Sequence, residues 1–247
     1  MKFALSWKYQ LVDSWKAVVV YYIVIVVLYG IMLRSAILHA DMNATTSISG
    51  LEAATLIFLF IVGLNSFKDP FLFQIQNGAS RKTIWLGMGG LAVTLAVGMS
   101  LCDTLLYILM KAVKPENLVI QSLSDQLFHL KSHQVTAPSI GAQMLFESSI
   151  ALLAICVGFF ICMLYYRMNT TGKTIVSVGT AGMVLMGFPL IERTITHGAL
   201  TRSIVWVLEH TFGLTPELFR WSIWFIISGG LLYGICYLLI RRAIIKS

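Results

Sequence analysis

Six apolar stretches, each close to the length of a bilayer crossing, constrain the fold of this chain more than any other feature. The hydrocarbon core of a membrane is about 30 Å thick, so a spanning helix needs about 20 mainly apolar residues. The six stretches cover residues 17–33, 48–67, 84–110, 142–164, 174–191 and 221–240. We therefore predict an all-α integral membrane protein with six transmembrane helices.

The composition leaves no room for a separate soluble domain. Hydrophobic residues make up 57% of the 247 residues and charged residues only 12%, which is about half the charged fraction of an ordinary soluble domain. The chain also has no long polar block. We therefore predict two parts, an amphipathic interface helix at residues 1–16 and a transmembrane domain at residues 17–247.

The distribution of positive charge predicts the orientation. If the N-terminus is cytoplasmic, 11 of the 18 Lys and Arg residues fall in inner segments, which are shorter than the outer ones. Cytoplasmic loops of membrane proteins are enriched in Lys and Arg. We predict a multi-pass protein of the cell membrane with both termini in the cytoplasm. The net charge of +7 then serves topology and not nucleic-acid binding.

The N-terminal segment has the pattern of a helix that lies in the membrane interface. Apolar side chains recur there at a spacing of four residues: Phe3, Trp7, Leu11 and Trp15. Polar residues, including Ser6, Gln10 and Asp13, fall elsewhere around the helix. Such a helix can lie in the inner headgroup plane with its aromatic face in the lipid.

Two outer connections are long. Residues 111–141 carry charges and two prolines, and residues 192–220 contain an apolar run that is too short to span. We predict short outer helices between the fifth and sixth spans.

The inner loop at residues 68–83, with the sequence KDPFLFQIQNGASRKT, is the most informative polar segment. Its opening KDP favours a helix start, because proline fits the first turn of a helix. Asn77-Gly78 favours a turn, and Ser80 can cap the next helix. Between these signals lies a short apolar patch: Phe71, Leu72, Phe73 and Ile75. Either a partner protein receives these side chains or they return to the lipid interface, and the sequence leaves both readings open.

The string QNGASRKTIW, which follows the second predicted span, resembles the inner loop of ABC type-2 exporter permeases. In that family a similar NG-x-SR stretch follows a short coupling helix that docks on a separate ATPase. The overall layout is similar as well, although the long outer loop at residues 111–141 departs from it. The resemblance implies that eight residues dock the ATPase: Phe71, Leu72, Phe73, Gln74, Asn77, Gly78, Ser80 and Arg81.

The resemblance also implies a dimer of identical or sister subunits in contact through the fifth helix. ATP and Mg²⁺ would bind to the partner ATPase, with no cofactor in this chain.

Three acidic residues, Glu52, Asp103 and Glu147, fall in or near the outer halves of predicted spans. Carboxylates are costly in lipid and usually face a bundle interior or an aqueous cavity. They are candidates for a substrate path with an acidic outer vestibule. The structural alternative, which we favour, is pairing with Arg34, Arg193 or Arg220, or hydrogen bonding to Ser and Thr.

The sequence shows no catalytic or metal-binding constellation. It has no HExxH or GxSxG motif, and its four cysteines lie in apolar runs without a CxxC spacing. We therefore expect a transport subunit and not an enzyme, namely the transmembrane subunit of an ATP-driven exporter. Its substrate would be amphipathic or cationic, such as a peptide, an antibiotic or a lipid. The alternative is an ATP-independent carrier or a substrate-capture membrane subunit, which would need polar residues or broken helices at mid-membrane.

Overall fold

The computed structural model describes residues 3–38, 46–113, 118–124, 137–182, 202 and 218–241. Within these residues we name the helices and strands in chain order: α1 (Phe3–Leu38), β1 (Thr46–Ser49), α2 (Leu51–Asn65), α3 (Lys68–Gln76), α4 (Arg81–Val113), β2 (Leu118–Gln121), α5 (Ala137–Arg167), α6 (Thr170–Gly182) and α7 (Leu218–Arg241).

Five helical segments of the described residues are long and apolar enough to cross a membrane: Phe3–Ser35, Glu52–Gln76, Arg81–Ala112, Ile140–Arg167 and Leu218–Arg241. The second of them includes both α2 and α3. Helices suit this environment because they pair their backbone N–H and C=O groups internally, where lipid offers no partner. The chain is therefore a multi-pass membrane protein.

The remaining predicted elements agree with the structure, or fall within its described residues, only in part. Helix α1 is continuous through Lys16, so no element boundary separates the predicted interface helix from the first span. The predicted fifth span at residues 174–191 begins within α6, and residues 183–191 lie outside the described part. The predicted outer helices also lie outside it, apart from residue 202 and the start of α7.

The N-terminal part of α1 contacts the protein through its small polar residues, a contact that the apolar repeat does not predict. Ser6 and Gln10 are fully buried, whereas Trp15 is 62% exposed. The Ser6 side chain occupies the space beside Gly87 of α4 that a Cβ would need. The small polar face therefore packs against the bundle, and Trp15 points outward, where an interfacial tryptophan is favourable.

Helix α5 lies at the centre of the described bundle, in contact with α2, α4 and α7. It crosses α2 at two facing glycines, Gly63 and Gly158, where a Cβ built on Gly158 would lie 2.9 Å from the Gly63 Cα. Small residues permit such close backbone approach between membrane helices. Gly179, Gly230 and Gly234 make no such close approach within the described residues, because a Cβ on any of them would meet no atom within 4 Å.

Helices α5 and α7 run in the same direction. The Phe146 and Phe225 rings near their starts lie 5.9 Å apart, and Arg167 and Arg241 at their ends line one cavity. Leu218 therefore lies at the opposite end of the bundle from Arg167. We call the end that holds the start of α4 and the end of α7 the inner end, and the opposite one the outer end.

A short strand pair at the outer end is the exception to the predicted all-α fold. Strands β1 and β2 pair in parallel, from Thr46 opposite Leu118 to Ser49 opposite Gln121. Each strand has four residues, so neither gives a clear period-two pattern, and the pairing joins segments that are distant in sequence. It connects the chain before α2 to the chain after α4.

Candidate functional site

The inner-end segment that follows α2 forms a separate short helix, as predicted. Helix α3 begins at Lys68, with Asp69 and Pro70 in its first turn. A proline fits there because the first-turn N–H groups have no partner within the helix, and an acidic residue there is favourable for the helix dipole. Residues of the first turn therefore determine where the nine-residue helix α3 begins.

One face of α3 is anchored inside the protein. The Phe71 side chain is fully buried, with its ring 4.8 Å from that of Phe67 and 6.0 Å from that of Tyr166 in α5. Gln74 is also fully buried, and its side-chain oxygen accepts a hydrogen bond from the Ser6 hydroxyl of α1. Phe71 and Gln74 therefore hold α3 to the bundle, and the expectation that they contact an ATPase directly does not fit their burial.

The opposite face of α3 is accessible. Asp69, Phe73 and Gln76 are exposed and Leu72 is half-buried, and their spacing places all four on one side of a helix. Phe73 is 46% exposed, and its ring stacks on Tyr9 of α1 at 4.9 Å. We call Asp69, Leu72, Phe73 and Gln76 the exposed α3 face.

The predicted turn after α3 is a helix-ending motif that requires glycine. Gly78 has a φ of +76°, a left-handed conformation that other residues rarely adopt. Its N–H donates to the Ile75 carbonyl at 2.9 Å, and the Ala79 N–H donates to the Gln74 carbonyl at 2.9 Å. These nested bonds form a Schellman motif, which satisfies the carbonyls at the end of α3.

The next residues start α4. The Ser80 hydroxyl accepts a hydrogen bond from the Thr83 N–H at 3.2 Å, which is the predicted N-cap. The Arg81 guanidinium donates to the carbonyl of Arg241 at the end of α7, where helical carbonyls lack partners. Gly78, Ser80 and Arg81 thus fix the geometry of the inner end, while Asn77 is exposed beside the exposed α3 face.

The contact between α1 and α3 contains buried side-chain amide groups whose donors and acceptors are not all hydrogen-bonded. Both polar atoms of the Gln10 side chain, and the nitrogen of Gln74, are buried without a partner among the described residues. An unsatisfied buried polar group costs about 1–3 kcal/mol. The contact between these helices is therefore less stable than its burial implies.

The three acidic residues converge toward the outer end. Glu52 of α2, Asp103 of α4 and Glu147 of α5 line one cavity of about 10 Å³, which is about the space that one water molecule needs. Asp103 and Glu147 each lie ten residues from the outer end of their helix, or about 15 Å at 1.5 Å per residue. Glu52 reaches the same level because it is in the first turn of the short helix α2.

Hydroxyl, amide and backbone groups surround the carboxyl groups of this acidic cluster. The Tyr22 hydroxyl donates to Asp103 at 3.0 Å, and the Gln143 amide donates to Glu147 at 2.9 Å. The Leu123 N–H, just after β2, donates to the Glu52 carboxyl group. The strand pair thus brings a backbone donor over the start of α2.

The structural alternative expected hydrogen bonds to Ser and Thr. The Thr104 hydroxyl donates to Glu147 at 3.5 Å, but the other donors above are Tyr, Gln and backbone groups. Of the arginines expected to pair with the acids, Arg34 and Arg220 are exposed on α1 and α7, and Arg193 lies outside the described residues. Sequence reasoning missed Tyr22 and Gln143. Gln143 stands four residues before Glu147, so their shared helix face was visible in the sequence, whereas the Tyr22 contact depends on how α1 packs on α4.

Metal-site geometry is not found in the part of the chain that the structure describes, where no three His, Cys, Asp or Glu side chains are arranged to hold an ion. All four cysteines are described and are free thiols. Comparisons with models of protein families, with curated proteins and with solved structures find no match to this chain.

Proposed function

We propose that this chain is the membrane subunit of an ATP-driven ABC exporter and that its exposed α3 face binds a separate ATPase. The observation that carries the proposal is the two-sided character of α3. Phe71 and Gln74 attach one side of α3 to the bundle, so a force applied to the other side would reach α1 and α5. Leu72 and Phe73 offer apolar surface at the inner end, where a soluble partner can cover it.

The similarity of the loop to type-2 exporter permeases supports the same proposal. The short helix and the NG-x-SR stretch occur in the order that the family resemblance implies, directly after the second span. In this proposal both termini are cytoplasmic, the protein lies in the plasma membrane, and ATP and Mg²⁺ bind to the partner chain. The predicted fifth span, at residues 174–191, would return the chain to the outer end and bring the number of spans to six.

A second copy of the chain, or a sister subunit, completes the proposed transporter. Helix α6 is exposed along almost all of its described length, and Gly179 has no neighbour within 4 Å of a built Cβ. Its exposed, glycine-containing surface supports a helix contact between subunits. The translocation path would lie between the subunits, with an amphipathic peptide, antibiotic or lipid as the substrate class.

The docking claim is tested by affinity purification of the full-length protein from its native membrane. Phe73→Asp should abolish co-purification of a protein with a complete P-loop. Phe219→Asp is the matched control, because Phe219 is a 65% exposed phenylalanine at the outer end of the bundle, and it should retain the partner. Retention of the P-loop protein by Phe73→Asp would exclude the exposed α3 face as its docking site.

An ATP-independent carrier is the second candidate, favoured by one observation. Three carboxyl groups from three helices meet in one cavity within the bundle, and intramembrane acids commonly mark ion or proton pathways. A carrier would move its substrate in proteoliposomes that contain this chain alone, driven by a cation gradient. That activity would have to disappear in Glu147→Gln, and transport that needs ATP and a second protein would exclude this candidate.

A further inference from the structure

A groove with a volume of about 600 Å³ lies between α4 and α7, bordered by α1 and α5. This is within the range of small-molecule sites, about 300–1,000 Å³. We define the α4–α7 groove by Leu86, Gly90 and Val93 of α4 and by Ile226 and Gly230 of α7. It is separate from both the exposed α3 face and the acidic cluster.

The α4–α7 groove lies at the depth of lipid acyl chains. Leu86 and Val93 are 5 and 12 residues from the start of α4 at Arg81, or about 8 and 18 Å at 1.5 Å per residue. Ile226 is 15 residues before the end of α7 at Arg241, or about 22 Å. Since half the hydrocarbon core is about 15 Å thick, the groove begins in the leaflet at the inner end and reaches the middle of the membrane.

The polar atoms around the groove are already used within the protein. The Trp7 indole N–H donates to the Thr94 hydroxyl at 3.2 Å, and that hydroxyl donates to the Gly90 carbonyl at 2.7 Å. The Tyr233 hydroxyl donates to the Trp85 carbonyl. The groove therefore offers hydrocarbon contacts and no free partner for water, and such a cavity favours an apolar ligand.

Glycines create the concave floor. A Cβ on Gly90 would lie 2.9 Å from the Trp7 ring, and a Cβ on Gly229 would lie 3.6 Å from the Leu153 Cα. A Cβ on Gly230, in contrast, would meet no atom within 4 Å. The space that a side chain at Gly230 would fill is therefore part of the α4–α7 groove.

A basic residue stands at the inner end of the groove. Lys82 is exposed, and it shares a helix face with Leu86, Gly90 and Val93 because residues three or four apart lie one above the other. Arg81 beside it already donates to the Arg241 carbonyl. Lys82 is therefore placed where the headgroup of a lipid would lie if an acyl chain of that lipid followed this face into the membrane.

We propose that the α4–α7 groove binds an acyl chain of a phospholipid from the leaflet at the inner end, with the lipid phosphate at Lys82. The positive charge of Lys82 suits a phosphate, and the apolar lining suits an acyl chain. Both lie along one face of α4, so a single phospholipid can contact both. The lipid site does not depend on the transport function proposed above.

The test uses the full chain in vesicles of phosphatidylcholine and phosphatidylglycerol, the latter with a diazirine on one acyl chain. After irradiation, peptide mapping should place the label within residues 86–94 and 226–233. Gly230→Leu should lower that label roughly tenfold, because it displaces about two methylene groups of the chain. Gly234→Leu is the matched control, since Gly234 also has open space around a built Cβ but does not line the groove, and it should leave the label unchanged.

A separate substitution tests the contact between Lys82 and the lipid headgroup. Lys82→Gln should lower the label about fivefold, the effect of one basic residue near a membrane surface, without moving it to other peptides. Lys173→Gln, another exposed inner-end lysine, should have no effect. A label spread evenly over the exposed apolar helix faces, or equal labelling of Gly230→Leu and Gly234→Leu, would overturn the acyl-chain site. Unchanged labelling of Lys82→Gln would overturn the assignment of the phosphate.

Discussion

Phe71 and Phe73 stand two residues apart on α3, yet their replacement should destabilise the protein to very different degrees. Phe71 is fully buried between Phe67 and Tyr166, and removing a buried phenylalanine side chain costs about 3–5 kcal/mol. Phe73 is 46% exposed, and its ring stacks on that of Tyr9; such an aromatic pair contributes about 1 kcal/mol. Phe71→Ala should therefore destabilise the protein several times more than Phe73→Ala.

The assay is thermal unfolding of the purified protein in detergent, followed by the loss of its monodisperse peak in size-exclusion chromatography. For a chain of this size about 1 kcal/mol corresponds to about 2–4 °C in Tm. Phe73→Ala should therefore shift Tm by about 3 °C and Phe71→Ala by on the order of 10 °C. Equal shifts, or a larger shift for Phe73→Ala, would refute the assignment of the two faces of α3 and with it the exposed α3 face.

Three further substitutions test other parts of the structure by the same melting assay. Gly158→Ala should destabilise the protein by about 1–3 kcal/mol through overpacking at the crossing of α2 and α5. Gly98→Ala is its control and should be neutral or stabilising, because a Cβ built on Gly98 meets no atom within 4 Å. Similar effects of both variants would contradict the close crossing. Glu147→Leu should cost about 1–3 kcal/mol because the buried Gln143 amide loses its acceptor, while Glu147→Gln keeps a hydrogen-bonding side chain and should cost less. Gly78→Ala should cost about 1–2 kcal/mol because of its left-handed backbone, and an unchanged Tm would argue against that conformation.

The predictions from sequence succeeded where the signal was local. The KDP start, the Asn77-Gly78 turn and the Ser80 cap each depend on a few neighbouring residues, and all three appear in the structure. The apolar spans are likewise set by length and composition, and five of the predicted six correspond to long apolar helices of the described chain.

The predictions failed where packing between distant segments decides. The apolar repeat at the N-terminus did not reveal the face that contacts the bundle, because Ser6 fits beside Gly87 and bonds to Gln74, and neither neighbour is predictable from α1 alone. The same holds for the crossing of Gly63 and Gly158, since an isolated glycine in each helix gives no repeat to recognise. The strand pair was missed because its two strands contribute only four residues each.

The predictions of functional sites also succeeded for local features and failed for features that depend on packing. The sequence identified α3 as a helix with apolar side chains, but the division into a buried face with Phe71 and an exposed face with Phe73 depends on where α5 and α1 lie. The acidic residues were recognised because carboxyl groups are rare in spans, whereas their convergence on one cavity follows from the packing of three helices.

The stimulation of a separate ATPase tests the proposed function most directly. The purified chain is placed in proteoliposomes with the P-loop protein that co-purifies with it, and the rate of ATP hydrolysis is compared with that of each component alone. The exporter proposal predicts no hydrolysis by this chain alone and a higher rate for the pair, with the increase lost in Phe73→Asp and kept in Phe219→Asp. A rate for the pair equal to that of the ATPase alone, or substrate transport by this chain without any ATPase, would contradict it.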